Sequence, residues 1–250
     1  MSIGATTTTR PAEPEGVALE SRPVDQTGTR KRPITLVPPN ATAVLSTLLI
    51  AAHDPTSAQT EALRELRSQL LLKWFNSHKT LAIVAARGGQ GCSVIAANLA
   101  ILFAQLGEQT LLIDANLRAP CQHELFGLKP TAGLSDLLRN RDVHDEAIMP
   151  VPSVENLRVL CTGVAPANPQ ELISRTPLIY LMKTLPDRFG VIILDTPPAL
   201  AYADAQIVSA RTHGALLVAR RHRTRLGDVE RVQERISSAG AQLLGAVIND

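Results

Sequence analysis

The sequence predicts an α/β fold in which a mostly parallel central sheet carries helices on both faces. Three observations predict it: short, continuously apolar runs, helical stretches between those runs, and glycines where a helix gives way to a strand. Apolar runs without alternation are typical of strands that are buried on both faces. Helices between successive strands supply the crossovers that a parallel sheet requires.

Length and charge limit the classes of function. The 250 residues, of which 45% are hydrophobic, are enough for one core but not for two. The formal net charge of +2 gives no basic footprint, so no nucleic-acid partner is expected. The three cysteines are far apart and form no C-x-x-C pair, which is typical of a reducing, cytoplasmic compartment.

Two segments are predicted, a disordered tail over residues 1–53 and one folded domain over residues 54–250. The first part of the tail is rich in threonine and proline and has few large apolar residues to bury. The apolar run over residues 44–52 is too short to span a bilayer, so membrane contact is expected to be peripheral.

The predicted elements follow in chain order. The first is an amphipathic helix after Asp54, whose apolar face comprises Leu63, Leu66, Leu70 and Trp74. Gly107 and Gly240 are expected to end later helices. Strands are predicted over residues 81–85, 110–114, 157–161, 191–195, 215–219 and 243–248.

A glycine-rich loop lies between the first predicted strand and a helix. Glycines allow backbone N–H groups to wrap around phosphates, the helix N-terminus adds its positive end, and the Ser93 hydroxyl is suited to Mg²⁺. This pattern predicts a phosphate-binding loop. Its candidate nucleotide-binding residues are Arg87, Gly88, Gly89, Gln90, Gly91, Cys92, Ser93 and Val94.

The loop departs from the G-x-x-x-x-G-K-[ST] pattern at two positions, with Ala86 for the first glycine and Cys92 for the lysine. An electrostatic contact such as the lysine makes is worth roughly 2.7–4 kcal/mol in a transition state. We expect Arg87 to supply part of the missing charge. We also expect the helix N-terminus to lower the pKa of Cys92, so that this thiol is partly ionised near neutral pH and is the most reactive of the three.

Two acidic residues end predicted strands, Asp114 and Asp195. Ligands bind at the carboxyl ends of parallel strands in open α/β sheets. Mg²⁺ is bound by oxygen ligands such as hydroxyls, carboxylates and water. The predicted metal ligands are therefore Ser93, Asp114 and Asp195.

Residues from about 54 to 250 resemble the bacterial tyrosine kinases of capsule and exopolysaccharide systems, in particular the chain-length-determinant protein tyrosine kinase subgroup. The matching stretches are the Glu61-x-x-Arg64-x-x-Arg67 pattern, the phosphate loop with AANLA at 96–100, LLIDANLRAP at 111–120, HELFGL at 123–128, NPQEL at 168–172, DTPP at 195–198 and GAVIN at 245–249.

The resemblance implies a P-loop NTPase fold that binds ATP and Mg²⁺, with Asp114, Asn116 and Arg118 as the candidate catalytic residues. It also implies that Glu61 and the two arginines Arg64 and Arg67 dock on a neighbouring subunit of a homo-oligomer. An alternative for that helix is a solvated face with local charge pairs. The implied partner is a membrane-embedded polysaccharide co-polymerase, which places the protein in the cytoplasm at the inner membrane.

Three departures from the family pattern bear on catalysis. Cys92 replaces the lysine, Asn116 replaces the second acid of a D-x-D motif, and the sequence shows no tyrosine-rich tail. Of the two tyrosines, Tyr180 is expected in the core and Tyr202 beside the site.

Three functions therefore stay open. The first is a tyrosine kinase or ATPase, and the second is a non-catalytic nucleotide-binding adaptor of the co-polymerase. The third is a MinD/ParA-type ATPase, because Arg87 and the glycines after it resemble a K-G-G-x-G loop.

Overall fold

The computed structural model describes residues 44–140 and 143–250. Seven strands form one sheet in the order β3-β4-β2-β5-β1-β6-β7. Neighbouring strands are parallel except β3 and β4, so the predicted mostly parallel sheet is confirmed. The strands are β1 (Thr80–Ala85), β2 (Thr110–Asp114), β3 (Ile148–Pro150), β4 (Leu157–Leu160), β5 (Val191–Asp195), β6 (Gly214–Arg220) and β7 (Gln242–Asn249).

Helices cover both faces of the sheet. Alternate residues of β1 belong to the two cores: Leu81 and Ile83 share one core with residues of the first four helices, whereas Ala82 and Val84 share the other with residues of the last six. The helices are α1 (Ile50–His53), α2 (Ala58–Leu70), α3 (Cys92–Gln105), α4 (Gln122–Leu125), α5 (Leu134–Leu138), α6 (His144–Ala147), α7 (Pro169–Ile173), α8 (Thr176–Thr184), α9 (Asp204–Thr212) and α10 (Leu226–Ser238).

The predicted amphipathic helix is α2, which continues into a π-helical turn at Leu71–Phe75. It begins at Ser57, whose hydroxyl accepts the Thr60 N–H as an N-cap. Trp74 is buried and donates its indole N–H to the Thr80 carbonyl at 2.9 Å. This hydrogen bond ties the end of the helical segment to the start of the central strand β1.

Glycines end two helices as predicted. Gly107 (φ 96°) follows α3 and Gly240 (φ 78°) follows α10, and both adopt the left-handed conformation that glycine tolerates best. The short antiparallel edge strand β3 was not predicted, because its three residues carry no strand pattern. The expectation for Tyr180 was wrong: α8 buries Leu178 and Leu181, which leaves Tyr180 on the outer face with half of its surface exposed.

The expected domain boundary at residue 54 is corrected by the packing of the segment before it. The predicted tail lies outside the described residues up to residue 43, but residues 45–53 belong to the folded domain. Leu49 and Ala51 are fully buried. The Asn98 side chain of α3 accepts the Ala51 N–H at 2.9 Å and donates to the Leu48 carbonyl at 3.0 Å. The apolar run that was assigned to the tail therefore packs against α3 and is hydrogen-bonded to it.

None of the helices in the described ranges, 44–140 and 143–250, is long and apolar enough to cross a membrane.

If residues 45–53 are part of the domain, Leu49→Ala should lower the free energy of unfolding by about 2–4 kcal/mol, since it empties a fully buried site. The matched control is Leu48→Ala, because Leu48 is 54% exposed and its removal should change stability by no more than about 0.5 kcal/mol. Urea denaturation measures both. If both variants lower the free energy of unfolding by the same small amount, residues 45–53 do not belong to the folded domain.

Candidate functional site

The glycine-rich loop connects β1 to α3, where its sequence placed it. Gly89 (φ 73°) and Gly91 (φ 89°) adopt left-handed conformations. A Cβ on Gly91 would lie 2.1 Å from the Asn249 side-chain nitrogen and would be strained at this positive φ, so the loop favours glycine there. The N–H groups of the first turn of α3 have no partner within the helix. The loop and this turn therefore form an anion cradle.

Side chains from the far end of the chain hold the loop in this shape. The Gln90 amide oxygen accepts the Arg87 N–H at 2.9 Å, and its nitrogen donates to the Thr224 hydroxyl. Arg220 donates to the Gly89 carbonyl at 3.0 Å and Asn249 donates to the Gln90 carbonyl at 3.2 Å. The two loop carbonyls are thus bound from outside the cradle. The contacts of Thr224, Arg220 and Asn249 join residues more than a hundred positions apart. Sequence reasoning missed these three residues as loop anchors.

Arg87, expected to supply charge to the phosphates, is engaged elsewhere. Its guanidinium makes two contacts with Asp228 at the start of α10, at 2.8 and 3.2 Å, and Arg231 contacts the same carboxylate. The hydrogen bond from Arg87 is the main cause that lowers the pKa of Asp228 to about 2. No local pattern pointed to Asp228, because it lies 141 residues after Arg87 in the chain. In this arrangement the Arg87 charge is directed at Asp228.

The expected thiolate at Cys92 is wrong. Its sulfur is turned toward the sheet, within 3.2 Å of the Ile83 carbonyl. Burial, followed by the negative charge of Asp195, raises the pKa of Cys92 well above its ordinary value. Desolvation outweighs the helix N-terminus because the side chain points inward. Burial also raises the pKa of Cys121 to about 11 and of Cys161 to about 12, so all three thiols are neutral at pH 7.

The two strand-end acids meet, as predicted from the parallel sheet. Asp114 and Asp195 are register partners on β2 and β5, and both are fully buried. Asp114 accepts the N–H groups of Cys121 at 3.1 Å and Gln122 at 3.0 Å. Burial and then the charge of Asp195 raise the pKa of Asp114 to about 7. Burial also raises the pKa of Asp195, although the Ser93 hydroxyl and the Gln122 amide oppose this shift.

Gln122 is a site residue that sequence reasoning missed. It is fully buried, and its side-chain nitrogen donates to Asp195 Oδ2 at 2.8 Å and to the Ser93 carbonyl at 3.1 Å. A glutamine after a proline-containing loop carries no motif of its own, so no sequence signal pointed to it.

The other two candidate catalytic residues form their own local contacts. The Asn116 side chain bonds both the N–H and the carbonyl of Ala119, which closes the loop after β2. Arg118 makes two contacts with the buried Asp204, at 2.8 and 3.1 Å, and its guanidinium lies 3.9 Å from the centre of the Tyr202 ring. Tyr202, which was expected beside the site, thus stacks on the Arg118 guanidinium. Arg118 also lines a cleft of about 700 Å³ with residues of the NPQEL stretch.

Glu61, Arg64 and Arg67 lie on α2, apart from the phosphate loop. Arg64 pairs with Glu61 on the same helix at 2.9 Å. Arg67 donates to the Leu102 carbonyl of α3 at 3.0 Å, and burial lowers its pKa. Part of this trio is therefore used within the domain, and the expected subunit contact stays a prediction.

Two orphaned oxygens show that the cluster fits a divalent cation. Within the described part of the chain, Asp195 Oδ1 and Gln122 Oε1 are buried without a hydrogen-bond partner. An unsatisfied buried acceptor costs about 1–3 kcal/mol. Carboxylate, amide and hydroxyl oxygens are the ligands that Mg²⁺ prefers, directly or through its waters. The residues at the loop therefore suit Mg²⁺ together with a phosphate-bearing ligand.

A strand, a glycine loop, a helix and two acids at neighbouring strand ends define the P-loop NTPase class. A family model described as NUBPL iron-transfer P-loop NTPase, of the ParA type, matches residues 76–249. The septum site-determining protein MinD of Pyrococcus horikoshii, solved with Mg-ADP, superposes with a TM-score of 0.60 at 24% identity over 69% of this chain and 70% of that chain. That likeness shows the shared fold.

Closer relatives are kinases by name. The putative tyrosine-protein kinase CapB of Staphylococcus aureus is 34% identical over 79% of this chain and 87% of CapB. Tyrosine-protein kinase YwqD of Bacillus subtilis is 35% identical over 80% of this chain and 85% of YwqD. A putative tyrosine-protein kinase in the cps region of Klebsiella pneumoniae is 32% identical over 81% of this chain and 28% of that longer protein.

Solved structures agree with these relatives. The chimerical protein CapA2B2 superposes with a TM-score of 0.77 at 35% identity, covering 82% of this chain and 90% of that chain. The kinase domain of the Escherichia coli tyrosine kinase ETK gives 0.78 at 30% identity, covering 84% and 82%. The chain belongs to the bacterial tyrosine kinase family of P-loop proteins, and the predicted family and fold are confirmed.

The raised pKa values of the two acids predict how stability changes with pH. The folded state retains a proton on the pair up to a pH near 7, where the unfolded chain has already lost it. The free energy of unfolding of the metal-free protein should therefore increase as the pH falls from about 8 to about 5, by at most about 3 kcal/mol.

Asp195→Asn tests this prediction by removing one of the two charges. The variant should be more stable than the parent at pH 8, and its stability should change less with pH. Urea denaturation in EDTA measures both, with the exposed Asp187→Asn as the control that keeps the parental slope. An identical slope in Asp195→Asn and the parent would show that the pair does not share a proton.

Proposed function

We propose that this protein binds ATP·Mg²⁺ at its phosphate loop and acts as a tyrosine-kinase-like regulator of polysaccharide polymerisation, export and chain length. Its proposed partner is a membrane-embedded polysaccharide co-polymerase, which would hold it at the cytoplasmic face of the inner membrane. The names of the relatives, one of them in a cps region, support this proposal. The observation that carries it is the meeting of Asp114 and Asp195 beneath the loop, with one carboxylate oxygen unpaired.

Each residue of the site has a proposed role. The backbone of residues 88–94 and the α3 N-terminus hold the phosphates, and Ser93, Asp195 and Asp114 hold the metal. Asp114 is the proposed base that accepts the proton of an attacking hydroxyl. Bound Mg²⁺ supplies charge neutralisation for phosphoryl transfer. Asn116 and Arg118 shape the approach to Asp114.

A second function, the non-catalytic adaptor, is favoured by the state of Cys92. A neutral thiol turned toward the Ile83 carbonyl places no charge on a phosphate, and Arg87 is paired with Asp228. Nucleotide would then bind and change contacts with the partner without efficient transfer. The MinD/ParA-type alternative rests on the resemblance of Arg87 and the glycines after it to a K-G-G-x-G loop and on the ParA-type family model, whereas the likeness to MinD is one of fold.

The kinase proposal predicts that Cys92→Lys raises ATP turnover by about 10²-fold, because it restores one electrostatic contact to the phosphates. The parent should bind ATP·Mg²⁺ weakly in calorimetry and the lysine variant more tightly. Turnover is measured with and without the cytoplasmic segments of the co-polymerase.

Cys92→Met is the matched control, since it lengthens the side chain without adding charge and should behave as the parent does. If Cys92→Lys turns over ATP no faster than Cys92→Met, the missing lysine does not limit turnover, and the result favours the non-catalytic adaptor. If the folded parent releases no heat with ATP·Mg²⁺ at millimolar nucleotide, nucleotide binding itself is wrong.

The proposed homo-oligomer predicts that Arg64→Glu shifts the protein toward monomer. Arg67 is left unchanged, because its bond to the Leu102 carbonyl supports the domain itself. The double variant Glu61→Arg/Arg64→Glu keeps the local pair with its charges exchanged, and it should also lose assembly if this face meets a neighbour. Light scattering gives the masses. A monomeric parent, or an unchanged mass in both variants, contradicts the proposal.

A further inference from the structure

Gln122 connects three parts of the site. As the first residue of α4, it donates its backbone N–H to Asp114 at 3.0 Å. Its side-chain nitrogen donates to Asp195 Oδ2 at 2.8 Å and to the carbonyl of Ser93 at 3.1 Å. A single buried side chain thus joins β5 to the first turn of α3.

The network fixes the orientation of this amide. Turned by half a rotation, Gln122 would place its oxygen against Asp195 Oδ2 and the Ser93 carbonyl, which are both acceptors. The nitrogen must therefore face Asp195 Oδ2 and the Ser93 carbonyl, and Oε1 is left as an acceptor without a partner in the described part of the chain. This assigns the amide as a donor to one oxygen of the carboxylate and leaves the other oxygen, Oδ1, without a hydrogen bond in the described part of the chain.

The unpaired oxygen atoms of the site indicate which kind of ligand suits it. Asp195 Oδ1 and Gln122 Oε1 are both buried acceptors without a partner among residues 44–140 and 143–250. The nearby thiol of Cys92 is directed to the Ile83 carbonyl and supplies no positive charge. Two acceptors without a hydrogen-bond partner in the described part of the chain suit a cation. Mg²⁺ keeps several of its waters in proteins, and both oxygens suit such a hydrated cation.

We propose that Gln122 is a positioning residue for the metal of the nucleotide site, which rests on the proposed function. Its amide pins Asp195 through Oδ2 so that Oδ1 is presented to the cation, and its own Oε1 gives the hydration shell a second acceptor. Outer-shell partners of this kind typically change metal affinity by about 10–100-fold when they are removed. Gln122 acts on the metal through Asp195, and nucleotide without metal does not depend on it.

The experiment separates metal affinity from nucleotide affinity. In Gln122→Met the chain length is kept and the amide is removed. Calorimetry with ADP in EDTA gives the metal-free nucleotide affinity, and the free Mn²⁺ signal in electron paramagnetic resonance gives the metal affinity of the protein saturated with ADP. We expect Gln122→Met to weaken Mn²⁺ binding by about 10–100-fold and to leave the metal-free ADP affinity within about twofold.

Two further variants complete the design. Gln109→Met makes the same chemical change at an exposed glutamine whose amide pairs with Asn156, and it should match the parent in both measurements. Gln122→Asn keeps an amide but withdraws it from Asp195, so it should weaken Mn²⁺ binding as well. It replaces the methionine variant if circular dichroism shows that Gln122→Met does not fold.

The outcomes distinguish the two proposals. A folded parent that binds no ADP overturns the proposed function. A parent that binds ADP and Mn²⁺ while both Gln122 variants bind Mn²⁺ equally well overturns the role of Gln122. An equal loss of metal-free ADP and Mn²⁺ binding also overturns it, since that result is expected of a residue that only supports the fold.

Discussion

Two carboxylates, Asp114 and Asp195, lie side by side inside the sheet because β2 and β5 are paired in register at their last residues. Like charges in a buried position repel, and the surrounding residues are arranged to reduce that cost. The chain after β2 turns back so that the first N–H groups of α4 face Asp114. Gln122 then reaches across to Asp195. The loop after β2, the start of α4 and the first turn of α3 all take their positions from this pair.

Positive charge is distributed around the site rather than within it. Arg87 is held by Asp228, Arg118 by Asp204 and Arg220 by the Gly89 carbonyl. Arg87 and Arg220 thus support the phosphate loop and Arg118 supports the start of α9, whereas the residue at the usual lysine position is a neutral thiol. Among the described residues, these arginines are therefore paired away from the two buried acids, and a bound Mg²⁺ would compensate the charge of those acids. This explains why Arg87, contrary to the expectation from the sequence, does not direct its charge at the phosphate loop.

The parts of the fold that follow local rules were predictable. Buried strands, the helices between them and the glycines at 107 and 240 each have a short-range pattern, and the meeting of the two acids follows from parallel pairing alone. Side-chain direction has no such pattern. The pKa of Cys92 was predicted with the wrong sign because its helix position is local, whereas its burial against β1 is not. Gln122 and Asp228 were missed for the same reason: their partners are distant in the chain.

The anchoring of the phosphate loop by Thr224 and Asn249 has a consequence for how the protein is made. The shape of the loop depends on side chains that are synthesised 134 or more residues after Gln90. Contacts between such distant segments also form late during folding, since long loops must close first. A nascent chain would therefore carry an incomplete cradle until β7 docks beside β6. Nucleotide, by binding only the finished cradle, would favour completed molecules over truncated ones.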